Sequence, residues 1–311
     1  MISCMINVSE TGVRIGVDLG GSKTELIALD VSGGELLRFR RVTPAGDYRA
    51  TVDLIGSMVA EAEADLALQA TVGIGTPGAI SLKSGLMKNC NSTCLNGQPL
   101  KEDLERRLGR QVKISNDANC FALSEAMDGA AVGAGLVFGV ILGTGVGGGI
   151  VVNRNVINGV NSIAGEWGHN PLPTPRSDEL PGPACYCGSA GCIETWLSGP
   201  GMSADHLRAG GEQLSAQQIV LQAGQGDILC RESVSRYCDR LARALAGVIN
   251  ILDPDVIVLG GGMSNIKQLY DEVPKLWDSY IFSDEVRTRL LPPKYGDSSG
   301  VRGAAWLWGH E

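Results

Sequence analysis

The sequence is short of basic residues and of long hydrophobic runs, and each shortage argues against a class of function. Its 311 residues include 26 Lys and Arg against 34 Asp and Glu, a formal net charge of −8. Nucleic acids and anionic membranes bind basic surfaces, so neither is expected as the main partner. No apolar run approaches the ~20 residues that span a bilayer. Residues 1–13 lack the basic start and apolar stretch of a signal peptide. We therefore expect a cytoplasmic protein.

Histidine is scarce, cysteine is odd in number, and glycine is abundant. There are 3 His, 9 Cys and 43 Gly. An odd, unevenly spaced set of cysteines argues against a secreted disulfide framework. So much glycine without a collagen period indicates tight turns and close approaches of the backbone. Six cysteines outside the cluster described below are predicted to be packing residues: Cys4, Cys90, Cys94, Cys120, Cys230 and Cys238.

Strand-like runs alternate with segments of helical periodicity, which predicts an α/β fold. Strands are predicted at 13–17, 24–29, 71–75, 111–115 and 256–259, and helices at 49–68, 101–108, 118–127 and 235–252. Residues 13–29 and 137–152 both read as strand, glycine turn and strand. This echo suggests two related halves, although two unrelated hairpins would give the same pattern.

The first glycine turn has the chemical groups of a phosphate site. Gly20, Gly21, Ser22, Lys23 and Thr24 offer backbone N–H groups, hydroxyls and an ammonium. The turn is not a Walker A loop, in which glycine directly precedes the lysine. Asp18 ends the preceding strand, where a carboxylate could hold a magnesium shell or simply cap the turn.

Two further segments match the dinucleotide fingerprint GxGxxG, at 143–148 and 73–78. That fingerprint must open a helix. A strand-like run follows the first match, and Pro77 interrupts the second, so a Rossmann site is excluded. Gly260, Gly261 and Gly262 follow a buried strand and are a third candidate for close approach to a nucleotide, or a plain turn.

Cys185, Cys187 and Cys192 lie within eight residues, with His169 upstream. Three cysteines and one histidine form a closed tetrahedral set, which indicates a structural zinc site. The alternative is three free or redox-active thiols. In a reducing compartment the clustering favours the metal.

Three carboxylates lie beside these motifs. Asp117 lies in Asn116-Asp117-Ala118-Asn119, between a strand and a helix. Spacing alone favours a helix N-cap there; the functional alternative is a base that takes a proton from a sugar hydroxyl. Glu166 and Glu194 flank the cysteine cluster and would either bind sugar hydroxyls or be solvated loop charges.

Taken together and in order, these motifs resemble the ROK sugar kinases, of the actin/hexokinase-like superfamily. The resemblance runs from about residue 14 to the C-terminus. It rests on 18–24, 75–78, 116–119, 143–145, 165–169, 185–194 and 260–262. The stretches 91–93, 95–99 and 296–306 resemble bacterial fructokinases of the mannofructokinase type.

The resemblance implies two α/β lobes of actin/hexokinase-like (ribonuclease H-like) fold, with an interlobe cleft for Mg-ATP and a hexose. The expected hexose is fructose, converted to fructose 6-phosphate. The implied lobes are 1–115 and 116–297, with a C-terminal helix at about 298–311 packing back on the first. Asp117 would be the catalytic base. The implied sugar-binding residues are Gly78, Asn91, Asn116, Asp117, Glu166, His169 and Glu194. The implied ATP-binding residues are Gly16, Asp18, Gly20, Gly21, Ser22, Lys23, Thr24, Gly143, Thr144, Gly145, Gly147, Gly260, Gly261 and Gly262. Zinc would be held by His169, Cys185, Cys187 and Cys192.

The resemblance also implies a homodimer without nucleic-acid or membrane partners. Three other functions compete with the fructokinase. One is a kinase for glucose, mannose, N-acetylmannosamine or N-acetylglucosamine. Another is a sugar-sensing repressor, which would need a DNA-binding helix-turn-helix and a basic patch. The third is a zinc-stabilised sugar-binding protein without activity. Residues 174–184, rich in proline and charge, are not explained by the resemblance.

Overall fold

The computed structural model describes residues 12–296 and 299–309, which fall into two compact units. The first contains 12–132, 154–164 and 299–309; the second contains 133–153 and 165–296. Cys4, and the ends of the predicted C-terminal helix, lie outside the described residues. The first unit continues 17 residues beyond the predicted boundary at 115, because the next helix packs against the helix near the C-terminus.

The first unit is built on a mixed sheet. The strands within this unit are β1 (Arg14–Leu19), β2 (Lys23–Leu29), β3 (Glu35–Val42), β4 (Thr71–Thr76), β5 (Ala79–Ile80), β6 (Met87–Lys88), β7 (Lys113–Asn116) and, further along the chain, β10 (Asn155–Val156). Its helices are α1 (Tyr48–Leu66), α2 (Leu100–Leu108), α3 (Asp117–Met127) and α9 (Ser299–Trp306). The main sheet has the order β3-β2-β1-β4-β7, in which β1, β2 and β3 are antiparallel and β4 and β7 run parallel to β1.

Periodicity explains the helix α1. Asp47 caps it by accepting a hydrogen bond from the Ala50 N–H at 3.0 Å. The helix buries Val52, Ile55 and Val59 against the sheet and ends where Ala67 adopts a left-handed backbone with φ of 52°.

Two glycines allow α9 to pack closely in the first unit. A Cβ on Gly16 in β1 would lie 2.1 Å from the Val301 carbonyl oxygen. A Cβ on Gly303 would lie 1.6 Å from the Cys120 carbonyl oxygen in α3. Any larger residue at these positions would force α9 away from the sheet or from α3.

The second unit has a sheet of its own. Its strands are β8 (Leu136–Leu142), β9 (Val146–Val152), β11 (Val256–Gly260) and β12 (Arg289–Leu291). Its helices are α4 (Glu194–Leu197), α5 (Gly199–Arg208), α6 (Ala216–Gln225), α7 (Ile228–Leu252) and α8 (Gln268–Leu276). Within this unit the strand order is β9-β8-β11-β12, with β8 and β9 antiparallel and β11 parallel to both β8 and β12.

The strand–turn–strand echo of the sequence corresponds to the same arrangement in both units. In each, an antiparallel hairpin (β1–β2 or β8–β9) lies beside a strand parallel to its first member (β4 or β11). The two units therefore share this strand topology, and a relation between the two halves stays a prediction.

Helix α7 is longer than predicted. It starts at Ile228, seven residues before the predicted 235, because Asp227 accepts a hydrogen bond from the Cys230 N–H at 2.8 Å and caps it there. It ends at Leu252, as predicted, before Asp253-Pro254. Within the described part of the chain, every helix is too short or too polar to span a bilayer.

Candidate functional site

The first glycine turn joins β1 to β2 and is held from behind by Thr43. The Gly20 N–H donates to the Lys23 carbonyl at 3.1 Å, and the Thr43 N–H donates to the Ser22 carbonyl at 3.0 Å. The Thr43 hydroxyl donates to the Gly20 carbonyl at 2.8 Å and lies 2.8 Å from the Thr24 hydroxyl. Ser22 and Lys23 are exposed, so a hydroxyl and an ammonium are presented from a fixed backbone.

Two carboxylates accompany this turn in the first unit. Asp18 lies in β1, beside Glu25 of β2 and Gly75 of β4 in the strand register. Burial, the charge of Asp117 and the charge of Glu25 raise the pKa of Asp18 to about 7. Asp117 is exposed at the start of α3. A carboxyl that titrates near neutral pH beside an exposed carboxylate is typical of sites for acid–base or metal chemistry.

The N-cap of α3 is Asn116, whose Oδ1 accepts from the Ala118 N–H at 2.9 Å. Asp117 Oδ1 accepts from the same N–H at 2.8 Å. Spacing alone would make Asp117 the N-cap, but in the structure Asn116 occupies that position. Asn116 Nδ2 also donates to the Gly78 carbonyl at 3.3 Å, so two of the predicted sugar-binding residues are in direct contact.

Asn91, another predicted sugar-binding residue, lies near the first glycine turn. It is exposed and lines a cavity of about 260 Å³ together with Gly21, Thr43 and Ser92. Sequence reasoning missed Thr43, which lies just after an exposed edge strand, where no motif marks it.

Two predicted ATP-binding residues of the first unit are enclosed in the sheet. Gly16 lies under α9, so packing accounts for its missing side chain. Thr24 is fully buried and its hydroxyl is bonded to Thr43. Thr24 supports the turn through Thr43, and Gly16 allows α9 to pack on β1.

The second glycine turn joins β8 to β9 and is held by a carboxylate. The Gly143 N–H donates to the Gly145 carbonyl at 2.9 Å. The Val146 N–H donates to Glu194 Oε2 at 2.9 Å, and a Cβ on Gly145 would lie 2.6 Å from that oxygen. Glu194 is half-buried and engaged with the turn, rather than a solvated loop charge.

A cavity of about 390 Å³ in the second unit brings together two of the predicted nucleotide segments, a size within the usual range for small-molecule pockets. Gly143 and Thr144 line it on one side, and Gly262 lines it on another. The cavity is completed by residues from the starts of α5 and α6 that sequence reasoning missed: Gly199, Pro200, Ser203, Ser215, Ala216, Gln217, and also Met263.

The other glycines predicted to bind ATP in this unit pack against neighbouring backbone. Gly261 has φ of 76°, and a Cβ there would lie 2.5 Å from the Leu142 carbonyl oxygen. Gly260 is buried as the last residue of β11. The Gly147 carbonyl accepts from Trp167 Nε1 at 3.0 Å. These contacts fix the shape of the backbone around the cavity.

The predicted zinc ligands converge. The ligand atoms of His169, Cys185, Cys187 and Cys192 all lie within 4.8 Å of one another. Cys185 Sγ is 3.6 Å from His169 Nδ1, and Cys187 Sγ is 3.6 Å from Cys192 Sγ. Sulfurs about 2.3 Å from a tetrahedral zinc would be about 3.8 Å apart, so the cluster fits this metal.

The two ring nitrogens of His169 face different partners. Its Nδ1 faces the cysteines, while its Nε2 lies 3.0 Å from the Tyr186 hydroxyl. A histidine that binds a metal through one nitrogen keeps the other for a hydrogen bond. Glu166 is exposed, immediately before the short 3₁₀ helix Trp167–His169.

None of the cysteines that the structure describes forms a disulfide. Outside the cluster, Cys90, Cys120, Cys230 and Cys238 are buried, which confirms the prediction that they are packing residues. Cys94 is half-buried.

Segment 174–184 contains a further residue that sequence reasoning missed. Glu179 is buried and paired with Arg240 and Arg243 of α7. Two arginines one turn apart on a predicted helix, together with an acidic residue in a proline-rich segment, were the available signal.

Comparison with known proteins identifies the family of this chain. The sequence profile of the ROK family matches residues 14–311. The N-acetyl-D-glucosamine kinase of Photobacterium profundum is 40% identical over 296 residues, which cover 94% of this chain and 98% of that protein.

Solved structures match the fold. The ROK hexokinase from Thermus thermophilus gives a TM-score of 0.84 at 28% identity, with 95% of this chain and 97% of that chain covered. The ROK family glucokinase from Streptomyces griseus, in complex with glucose and AMPPNP, gives 0.74 at 29% identity, with 95% and 99% covered. The predicted hexokinase-like α/β fold class is confirmed, and the chain belongs to the ROK family.

Proposed function

We propose that this chain is an ATP-dependent N-acetylglucosamine kinase. It is a sugar kinase of the ROK family, with a sugar and ATP as substrates. The choice of sugar rests on one observation, the 40% identity over 94% of the chain to a kinase named for N-acetyl-D-glucosamine. That observation favours N-acetylglucosamine over the fructose expected from the sequence.

The carboxylates of the first unit supply the chemistry in this proposal. Asp117 accepts the proton of the sugar hydroxyl while the hydroxyl oxygen bonds to the γ-phosphorus of ATP, the bond from that phosphorus to the bridging oxygen breaks, and ADP leaves. Asn116 and Gly78, already joined by a hydrogen bond, orient the sugar beside it. Asp18 would help to hold Mg²⁺, which would offset the negative charge of the phosphates. Because phosphoryl transfer gains mainly from alignment and charge stabilisation, rigid placement of these groups is the main requirement.

Each unit, taken by itself, offers a candidate nucleotide-binding segment: the β1–β2 turn in the first, and the β8–β9 turn with its neighbouring cavity in the second. Backbone N–H groups near Ser22 and Thr144 suit phosphate oxygens. The 390 Å³ cavity is of a size for the adenosine and is lined by Gly262 and Ser215. Ser215 caps α6, so its position is fixed by a hydrogen bond with Gln218.

The cysteine cluster is assigned a structural zinc. The metal would be bound by His169 Nδ1 and three thiolates, and it would fix the loop that carries Glu166 and Glu194. Both carboxylates are proposed to bind sugar hydroxyls, as is His169 Nε2. A homodimer stays a prediction that sedimentation velocity would test.

The decisive experiment is ADP release by the purified, zinc-loaded protein with Mg-ATP and a panel of sugars. The panel contains N-acetylglucosamine, N-acetylmannosamine, glucose, mannose and fructose. We expect the highest kcat/KM with N-acetylglucosamine and a 6-phosphate product by NMR.

A higher kcat/KM with fructose would restore the substrate expected from the sequence and refute the one proposed here. Binding of a sugar without turnover would instead support a binding protein. The Asp117→Asn variant serves as the control for contaminating kinases, because it should bind the sugar without phosphorylating it.

A further inference from the structure

Residues 173–180 are tied to helix α7 by one buried carboxylate. Glu179 is 5% exposed. Its Oε1 accepts from Arg240 Nε at 2.8 Å and from Arg243 NH2 at 2.8 Å, and its Oε2 accepts from Arg243 NH1 at 2.9 Å. The backbone N–H of Arg176 donates to Oε2 at 2.9 Å. Four donors therefore converge on one side chain.

The arginines hold the backbone of this segment as well. Arg243 NH1 donates to the carbonyls of Pro173, at 3.2 Å, and Thr174, at 3.0 Å. Burial acts to raise the pKa of Glu179, but Arg243, Arg240 and the Arg176 N–H lower it to about 2. The carboxylate is therefore charged at neutral pH.

Residues 180–193, which carry the three clustered cysteines, are called the zinc loop. Arg240 also contacts a residue just beyond the C-terminal end of this loop. Its guanidinium lies 4.4 Å from the centroid of the Trp196 ring, a cation–π contact. Arg240 NH1 lies 2.9 Å from Asp205 Oδ1, which fixes it from another side. Trp196 belongs to α4, whose first residue is Glu194.

The two ends of the loop 180–193 thus meet on one side chain of α7. Glu179 precedes the ligand Cys185, and Trp196 follows the ligand Cys192. Between these ends the chain passes through Gly182, Gly188 and Gly191, all with positive φ, which allow it many conformations when unrestrained.

We propose that Glu179, Arg240 and Trp196 form a clamp that closes the zinc loop at its base and positions Glu194 independently of the metal. Zinc fixes the tip of the loop and the clamp fixes its stem. Glu179 and Arg240 are positioning residues, since they act on the sugar through Glu194. This last step rests on the proposed function, whereas the closure of the loop does not.

The first test compares Glu179→Gln with the wild type. Gln keeps the shape and removes the charge that both arginines need. We expect KM for the sugar to rise about 10-fold, and zinc to pass to a chromogenic chelator about 10-fold faster, as for other residues that support metal ligands. Glu179→Asp keeps the charge but is too short for both arginines, and it should give smaller changes in the same direction.

The matched control is Glu272→Gln, which removes an exposed carboxylate paired with Lys275 on α8 of the same unit. It should change neither quantity. A lower melting temperature for Glu179→Gln, with KM and zinc release unchanged, would make the cluster merely structural and overturn the proposal.

A second test uses the wild-type protein, so it does not depend on any variant folding. Hydrogen exchange is compared with and without zinc. We expect amides of 185–192 to lose protection on zinc removal, while those of 174–180 and 194–197 keep it. Loss of protection across all three ranges would show that the metal alone holds the loop, and would refute the clamp. Because neither hydrogen exchange nor zinc release requires turnover, failure of the proposed kinase activity would be distinguishable from failure of the clamp.

Discussion

The two glycine turns occupy equivalent places in their sheets, but different chemistry holds them. The turn between β1 and β2 is supported by the neutral hydroxyl of Thr43, which directly follows the adjacent strand β3. The turn between β8 and β9 is supported by the carboxylate of Glu194, 48 residues further along the chain from Val146. The first turn therefore depends on a residue at the end of its own sheet, and the second depends on a residue that follows the cysteine cluster.

This difference separates the expected roles of the two units. The first unit carries Asp18 and Asp117, the carboxylates to which the chemical step is assigned, and the charge of Asp117 raises the pKa of Asp18. The second unit carries the cysteine cluster and the larger of the two cavities beside the turns. Changes to Asp18 and Asp117 should mainly affect the chemical step, and changes to the cysteine cluster should mainly affect binding.

The largest effect is expected for Asp117→Asn in the first unit. Loss of a general base lowers turnover by about 10³-fold. The fold and sugar binding should persist, because Asn116 still caps α3. Stopped-time ADP assays and calorimetric titration with the sugar would measure both. Near-normal turnover would remove Asp117 as the base.

A smaller effect is expected for Cys187→Ser in the second unit. Losing one ligand should release zinc, loosen Glu194 and reduce kcat/KM by about 10- to 100-fold. Metal content by plasma emission spectrometry and the melting temperature would follow the change. Cys238→Ser, a buried thiol outside the cluster, is the control and should retain zinc. Metal-free wild-type protein with full activity would contradict the site.

The raised pKa of Asp18 predicts that the stability of the protein depends on pH. This pKa is about 7 when folded and near 3.8 when unfolded. The folded state therefore binds the proton more tightly, and this group's contribution to stability is lost as pH rises from about 4 through about 7.

Asp18→Asn should remove that dependence. Without Mg²⁺, the variant should be more stable than the wild type at pH 8. The gain is at most about 4 kcal/mol, at about 1.4 kcal/mol per pKa unit. Urea denaturation at pH 5 and pH 8 would measure it. Mg²⁺ with ATP should stabilise the wild type at pH 8 much more than the variant. Equal pH profiles for both proteins would mean that Asp18 titrates normally.

The smallest effect is expected for Thr43→Val, which keeps the volume and removes the hydroxyl that holds the first turn. A lost buried hydrogen bond should cost about 1–3 kcal/mol. KM for ATP should rise a few-fold, since the turn keeps its other backbone bonds. Thr288→Val, which removes a hydroxyl bonded to the Pro254 carbonyl in the second unit, is the control. An unchanged KM would assign Thr43 to stability alone.

Many helices and strands could be predicted from short-range sequence patterns. The helix predicted at 101–108 is α2, and the strand predicted at 256–259 is β11, because hydrophobic period and turn residues act over a few positions. The short helices α4 to α6 were not predicted, since each is under three turns and depends on packing against α7.

Residue type and short spacing were enough to predict the α/β class, the two glycine hairpins and the Cys/His set whose ligand atoms converge in the structure. The folded structure was needed to show that Asn116 is the N-cap of α3 and that Gly16 packs under α9. It was also needed to show that Thr43 and Glu194 hold the two turns and that Glu179 is bonded to α7. These contacts join residues distant in sequence through directional hydrogen bonds and buried charges. Such pairs are chosen by how the elements pack, and a linear pattern does not contain that choice.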